Sequence, residues 1–241
     1  MPPNRIADMA ASMSNGASEL SDGTIYNFLA EFNVKAQTFA FAARTELLDH
    51  PVMRVGETGA RGNARNMFSR NHSDGKRVWY TANPTKGKQA IGDDGILPVS
   101  AGTLIHGHNT VHYHYGTGNG ECSVHLIRHL RANSGNTRHD WPDDMIGLLL
   151  SVKRSEESAK GFGASGFEQA DLEKYRRRYG EMVAEGCEVP QTTKSRFYRK
   201  EEKRLLKRLK KYGAILFCSR STLPCRLTTI SPSAICVWLW R

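Results

Sequence analysis

The chain contains 241 residues, 39% of them hydrophobic and 24% charged, so it can build a core and is not a disordered tail. The excess of 34 Lys and Arg over 24 Asp and Glu gives a formal net charge of +10, which favours a polyanionic partner such as nucleic acid. No apolar run reaches the roughly 18 residues of a membrane helix, the first residues lack the layout of a signal peptide, and the five cysteines form no CxxC pair. We therefore predict a soluble, cytoplasmic protein.

Residues 1–45 form the first predicted unit, a helical segment broken by turns. A helix is predicted from Thr24 to Arg44 because apolar residues recur there at roughly helical spacing after a Ser21-Asp22-Gly23 start signal. Packing of this apolar face on the core is the first interpretation, and a DNA-contacting helix is the alternative. The apolar residues are Ile25, Phe28, Leu29, Phe32, Phe39 and Phe41.

Residues 46–120 form the second predicted unit, which contains strands and turns. Short β-prone stretches from Pro51 to Val55, from Lys76 to Ala82 and from Ser100 to His106 are bounded by Gly, Asn and Asp. The sequences VWYTA and GTLIH are predicted to be adjacent buried strands. The polar stretch RGNARNMFSRNHSDG between them receives no predicted element.

Residues 121–213 form the third predicted unit, a set of antiparallel helices. Apolar residues recur there at helical spacing in three stretches, each of which is predicted to bury one face. Gly186 and Gly213 are predicted to end the second and third helices. The predicted buried residues are Trp141, Met145, Leu148, Leu149 and Val152; Leu172, Tyr175, Tyr179, Met182 and Val183; and Leu205, Leu206, Leu209 and Tyr212.

A histidine-rich segment is the first candidate for chemistry. Cys122 and His125 have the spacing of one zinc half-site, but a second half-site is missing. Alternating histidines also arise where a strand places every second residue on one face. A structural zinc site and ordinary surface or core histidines therefore both stay open. The segment contains His106, His108, His112, His114, Cys122, His125 and His129.

Adjacent carboxylates are the second candidate. Pairs occur at Asp93-Asp94, at Asp143-Asp144 and at Glu201-Glu202. Because neighbouring residues of a helix point in different directions, these pairs are interpreted as capping, turn or solvent-facing groups. The sequence has no nucleophile motif, phosphate-binding loop or dinucleotide fingerprint.

The segment TKSRFYRKEEKRLLKRLKK is the third candidate, because a charged helix face lies opposite its leucines. A phosphate-contacting surface, a solvated helix face and a membrane-surface helix are the three interpretations. Phe197 and Tyr198 lie among the cations. These cations are Lys194, Arg196, Arg199, Lys200, Lys203, Arg204, Lys207, Arg208, Lys210 and Lys211.

Several of these motifs together resemble the IS sixty-six family of bacterial transposases. They are LLDHPVMRVGETGARGN, then GTLIHGHNTVHYHYGTGNGECSVHLIRHL, WPDDMIGLLL and TKSRFYRKEEKRLLKRLKKY, and the resemblance covers residues 1 to about 213. It implies an α/β fold with an RNase H-like core and an α-helical insertion. It also implies a DDE-class enzyme that uses Mg²⁺ for strand transfer on the DNA of transposon ends, and it leaves the oligomeric state open.

The resemblance places two catalytic aspartates of the family on glycines of this chain. The family's D-E-T corresponds to Gly56-Glu57-Thr58, and its H-D-H corresponds to His106-Gly107-His108. The family's C-x-A-H corresponds to residues 122–125, with valine in place of the third residue. Gly56 and Gly107 are therefore the substituted positions of the first two acids.

The third acid is missing together with the family's V-P-F-D-N-N-x-S-E-R motif. From Tyr212 onward the chain has no Lys, Asp, Glu, Asn, Gln or His. With permitted codons, the stretch CRLTTISPSAICVW can encode VPFDNNLSERDLR in a shifted frame that starts at the last base of the Pro224 codon. We therefore interpret residues 214–241 as an out-of-frame tail, predicted to be disordered and aggregation-prone.

These residues predict a transposase-family protein for DNA transposition that lacks strand-transfer activity. Glycine has no side-chain oxygen for a metal ion, so the chain is predicted to bind no Mg²⁺ although the family does. Two alternatives stay open. One is a non-catalytic DNA-binding protein that uses the basic helix 194–211, and the other is a metal-stabilised structural protein that uses Cys122 and His125.

Overall fold

In a computed structural model, the chain is described over residues 3–17, 19–62, 64–161, 169–189 and 192–221. Three helices precede the strands, one α-helix lies between the third and fourth strands, and each element described after residue 122 is a helix. In order, the elements are α1 (Pro3–Met13), α2 (Asp22–Lys35), α3 (Gln37–Leu48), β1 (Val52–Gly62), β2 (Arg65–Ser73), β3 (Val78–Asn83), α4 (Lys88–Asp94), β4 (Thr103–His106), β5 (Gly118–Glu121), α5 (Ser123–Thr137), α6 (Trp141–Gly161), α7 (Gln169–Glu188) and α8 (Arg196–Ser221).

The five strands form one mixed sheet in the order β3-β2-β1-β4-β5. The first three strands are antiparallel neighbours, whereas β4 lies parallel to both β1 and β5. A buried apolar cluster that includes Met53, Ile91 and Leu104 joins the sheet to α4. The predicted α/β class is therefore confirmed at the level of a mixed sheet with helices.

Strand β2 occupies the polar stretch that received no predicted element. Its buried residues include Arg70, Asn71 and His72, and because successive side chains alternate, buried polar groups lie on both of its faces. Hydrophobic alternation, the usual signal of a half-buried strand, is therefore absent from β2. The predicted adjacency of VWYTA and GTLIH is wrong, because β2 and β1 lie between β3 and β4.

The predicted N-terminal helix from Thr24 to Arg44 is two helices, α2 and α3, which meet at Ala36. Ser21 caps α2 by accepting a hydrogen bond from the Thr24 amide at 3.1 Å. Ile25 is buried as predicted. The prediction that the other apolar residues pack on the core is wrong, because all five are exposed. These residues are Phe28, Leu29, Phe32, Phe39 and Phe41.

Helices α5 to α8 share a second apolar core, and the predicted helical faces are confirmed there. The stripes of α6, α7 and α8 bury their apolar residues, with Tyr175 only partly buried at the margin and Tyr212 half-buried. None of the helices in the described ranges is long and apolar enough to cross a membrane. The buried residues of these three stripes are Trp141, Met145, Ile146, Leu148, Leu149, Val152, Leu172, Tyr179, Met182, Val183, Leu205, Leu206 and Leu209.

Two glycines lie inside helices rather than at their ends, which corrects the predicted stops. Helix α7 continues past Gly186 to Glu188, and α8 continues past Gly213 to Ser221. Both glycines permit close packing, since a Cβ at Gly213 would lie 2.6 Å from the Tyr179 ring. The predicted disordered tail therefore begins within α8, and its residues 222–241 lie outside the described residues.

One predicted solvent-facing carboxylate is buried between helices. Glu202 on α8 accepts hydrogen bonds from the Trp141 indole at 3.0 Å and pairs with His139 Nδ1 at 2.7 Å. These contacts join the start of α8 to the start of α6, 61 and 63 residues earlier in the chain. The interpretation of Glu202 as a solvent-facing group is therefore wrong.

Replacement of Gly186 by alanine tests the close packing of α7. A Cβ there would lie 2.7 Å from Leu206 Cδ2 and 3.0 Å from Trp141 Cδ2, whereas a Cβ at Gly180 meets nothing within 4 Å. Alanine gains about 1 kcal/mol of helix propensity at either site, but overpacking costs about 1–3 kcal/mol. Urea unfolding should therefore show Gly180→Ala as stabilising and Gly186→Ala as destabilising; equal effects would contradict the packing.

Candidate functional site

Gly56 and Gly107, the two positions that the resemblance assigns to aspartates, lie side by side where β4 ends. In the parallel pair of β1 and β4, Val55 is the partner of His106. Gly56 and Gly107 follow these partners directly, so the register brings the two positions together. A Cβ at Gly107 would lie 3.2 Å from the ring of His125 in the first turn of α5. Neither glycine supplies a side-chain oxygen here.

The carboxylate beside this pair, Glu57, is held by protein groups. It accepts hydrogen bonds from Arg70 Nε at 2.8 Å and from Asn109 Nδ2 at 2.7 Å. Burial alone would raise the pKa of Glu57, but the nearby His112 ring and the hydrogen bonds from Arg70 and Asn109 lower it to about 2. Arg70 also forms an ion pair with Asp94 at the end of α4. Asp94 is therefore a buried ion-pair partner rather than a turn or solvent group.

The carboxylate at the end of β5, Glu121, lies in a second buried network. Arg208 of α8 donates to it through Nε at 3.1 Å and through Nη2 at 2.8 Å. Tyr113 donates at 2.5 Å, and His108 Nδ1 lies 2.6 Å away. Burial opposes ionisation of Glu121, but His108, Arg208 and Tyr113 lower its pKa to about 2. Burial beside Glu121 in turn raises the pKa of the Tyr113 hydroxyl.

Three histidines fill the space between these networks. His72, His106 and His112 are buried. Burial and then the charge of Arg70 lower the pKa of His72 to about 3, and burial with His112 nearby lowers that of His106 to about 4. These two histidines therefore stay neutral at pH 7.

The histidine-rich segment is spread over several environments. His106 and His112 are buried, His108 and His125 are half-buried, and His114 is exposed. Cys122 precedes α5, and His125 lies in its first turn. Across the described ranges, no three Cys, His, Asp or Glu side chains are grouped so that they could hold a metal ion.

Most cations of the basic segment are exposed, but Arg208 is not. Arg208 was predicted to belong to the charged face of α8, but it is 9% exposed and paired with Glu121. Arg199 is half-buried. A shallow groove of about 500 Å³ is lined by six cations of α8, including Arg204 and Lys207. The exposed cations are Lys194, Arg196, Lys200, Lys203, Arg204, Lys207, Lys210 and Lys211.

Sequence reasoning missed Arg70 and the pairing of Glu121 with Arg208. Glu57 and Arg70 are direct partners across β1 and β2, so a correct assignment of β2 would have paired them. Glu121 and Arg208 are 87 residues apart, and no local pattern joins them. A basic residue in the leucine stripe of α8 was the one available signal, since Arg208 lies between Leu205 and Leu209.

Fold and site together define a mixed α/β protein with buried ion-pair networks where its parallel strands end. Comparison of the chain with protein-family models, with curated proteins and with solved structures finds no match. The function is therefore inferred from the residues and geometry of this chain.

Removal of Arg208 should destabilise the protein strongly. Loss of one partner leaves the Glu121 charge buried, so Arg208→Met should lower the free energy of unfolding by about 3–5 kcal/mol. The double variant with Glu121→Gln should recover most of this loss because no unpaired charge remains. Exposed Lys210→Met is the control, with an effect within about 0.5 kcal/mol. Urea unfolding of the three variants and of the unaltered chain measures these effects. A double variant as unstable as Arg208→Met would contradict the charge argument.

Stability should also fall in acid in two stages. The folded pKa values of His72 and His106 lie below the usual 6.5, so only the unfolded chain gains these protons as the pH falls from 6.5 towards 4. Glu57 and Glu121, with folded pKa values of about 2 against 4.5, cause a further loss below pH 4.5. Their stabilisation is complete above these unfolded values.

A variant of His72 isolates the first stage. Each histidine contributes a slope of about 1.4 kcal/mol per pH unit. His72→Leu should remove one such slope between pH 6 and 4, because leucine does not titrate. The substitution leaves no hydrogen-bond partner unpaired, since no described residue is hydrogen-bonded to either ring nitrogen of His72. Unfolding at several pH values measures the slope, and an unaltered slope in His72→Leu would contradict the assignment.

Proposed function

We propose that this chain is a transposase-family protein of an insertion sequence, related to the IS sixty-six family, that has lost strand-transfer activity. The main support is the register of β1 and β4. Two positions chosen from sequence resemblance alone, 51 residues apart, become neighbours at the end of adjacent parallel strands. Such adjacency is what a pair of metal-binding acids requires.

The sheet order also supports an RNase H-like core. The strands lie in the order β3-β2-β1-β4-β5; the first three are antiparallel neighbours, and β4 and β5 are parallel to β1. A mixed sheet with helices is compatible with the α/β core that the resemblance implies. Helices α5 to α8 follow β5, where the family has its helical insertion.

The residues present do not fit the family's Mg²⁺ ions. Hard divalent cations bind carboxylate oxygens, and glycine at positions 56 and 107 provides none. The neighbouring carboxylates are committed elsewhere, since Glu57 is bound by Arg70 and Glu121 by Arg208. We therefore derive no metal-dependent step for this chain, and the proposed protein is catalytically inactive.

DNA binding without catalysis is the second candidate, and the exposed cations of α8 favour it. A row of Lys and Arg side chains can contact phosphates without any contribution from the sheet. The same surface serves an inactive transposase and an independent DNA-binding protein. The two candidates differ only in whether positions 56 and 107 form the remains of a metal site.

Restoring the two aspartates tests that difference. The double variant Gly56→Asp, Gly107→Asp should bind Mn²⁺ about tenfold or more tightly than the unaltered chain, because two carboxylates then face one site. Gly59→Asp, Gly107→Asp is the matched control, since it adds the same charge three residues further along β1. Electron paramagnetic resonance of Mn²⁺ titrations measures both.

A gain confined to the first variant would support the transposase proposal. Equal Mn²⁺ binding by both variants, or none by the folded Gly56→Asp, Gly107→Asp protein, would contradict it and leave the non-catalytic DNA-binding candidate. Circular dichroism of each variant establishes that it is folded, which matters because a Cβ at residue 107 must displace the His125 ring slightly.

A further inference from the structure

A groove of about 610 Å³ runs between α5 and α8. We name it the α5–α8 groove; Phe197 and Tyr198 line it near the start of α8, and Tyr212 and His108 line it at the other end. Tyr198 and Tyr212 are 14 residues apart, which corresponds to about 20 Å along the helix axis. Because His108 adjoins Gly107, the groove leads to the end of the sheet.

The charged side chains on the groove wall are mostly cationic. Arg204, Lys207 and Lys211 line it and are exposed. Its one acidic lining residue, Glu201, is paired with Arg204 at 2.5 Å. Among the described residues, no carboxylate lies within ion-pair distance of Lys207 or Lys211. These two ammonium groups are therefore available to an anionic ligand.

Aromatic rings lie at both ends of the same groove. Phe197 is 65% exposed and Tyr198 is 36% exposed, and their rings meet edge-on at 5.5 Å. At the other end, Tyr212 stacks on Tyr113 with centroids 4.4 Å apart. The Phe197 ring is therefore a largely exposed apolar surface, and cationic side chains of α8 line the same groove.

We propose that the α5–α8 groove binds unpaired DNA, with bases stacked on Phe197 and Tyr198 and phosphates on Lys207 and Lys211. A cationic groove with exposed aromatic rings is the arrangement that single strands favour, since every base has a face that stacks. This inference rests on the proposed DNA partner and adds the kind of DNA and its place. The unpaired strand would reach the substituted site beside Gly107.

Duplex DNA can contact the cations of this surface but not its aromatic rings. Its phosphates can contact the outer cations of α8, but its bases are paired and stacked inside the helix, where side-chain rings do not reach them. The rings of Phe197 and Tyr198 and the cations inside the α5–α8 groove should therefore distinguish a single-stranded end from a blunt duplex. The outer cations Arg196 and Lys200 lie on the neighbouring groove and should not make this distinction.

Fluorescence anisotropy with two labelled DNAs tests the proposal on the full chain. One probe is a blunt duplex and the other is the same duplex with an overhang of about four nucleotides. The overhang should bind about tenfold more tightly. Phe197→Leu combined with Tyr198→Leu should remove that preference, because base stacking on an aromatic side chain is lost, while blunt binding stays unchanged.

A charge variant outside the groove provides the matched control. Lys200→Gln should weaken both probes by the same factor, whereas Lys211→Gln, which changes a lining residue of the α5–α8 groove but not of the neighbouring groove, should weaken the overhang more than the blunt duplex. Equal affinity of the unaltered chain for both probes would overturn the groove proposal and leave DNA binding intact. Absence of binding to either probe would overturn DNA as a partner as well. Equal losses on both probes in the double leucine variant would also overturn the groove.

Discussion

The buried contact between Arg208 and Glu121 is the interaction on which the rest of the structure depends. It joins the last described helix to the last strand across 87 residues. The leucines of α8 alone could slide along the helical core, because apolar contacts are not directional. Two hydrogen bonds to one carboxylate fix the position of α8 at the end of β5, and this position places the exposed cations and the groove beside Gly107.

At this end of the sheet, guanidinium groups pair with the carboxylates, as metal ions do in a metal-binding carboxylate site. Arg70 pairs with both Glu57 and Asp94, and Arg208 pairs with Glu121. These pairs lie inside the protein and are supplied by its own side chains. Their role is therefore structural, where the parallel strands end. Under the proposed function, two glycines are tolerated because each of these neighbouring carboxylates already has an arginine partner.

The sequence predicted the elements whose buried faces are apolar and missed those whose buried faces are polar. The stripes of α6, α7 and α8 were found because leucines and aromatics recur on one side only. Strand β2 was missed because its inner side chains are Arg70 and His72, and Arg208 was misplaced because a count of cations does not distinguish a buried one. Gly56 and Gly107 were selected from the family resemblance, since glycines leave no periodic signal, and only the register of β1 and β4 shows that they are neighbours.

Under the proposed function, helix α8 separates the requirements of folding from those of DNA binding. Its buried side is fixed by Leu205, Leu209 and Arg208, whereas its exposed cations contribute little to stability. Glycine at positions 56 and 107 alters neither side of this helix. Under the proposed function, a chain of this architecture loses strand transfer and keeps its surface for DNA, because the two activities depend on different residues held by the same ion pair.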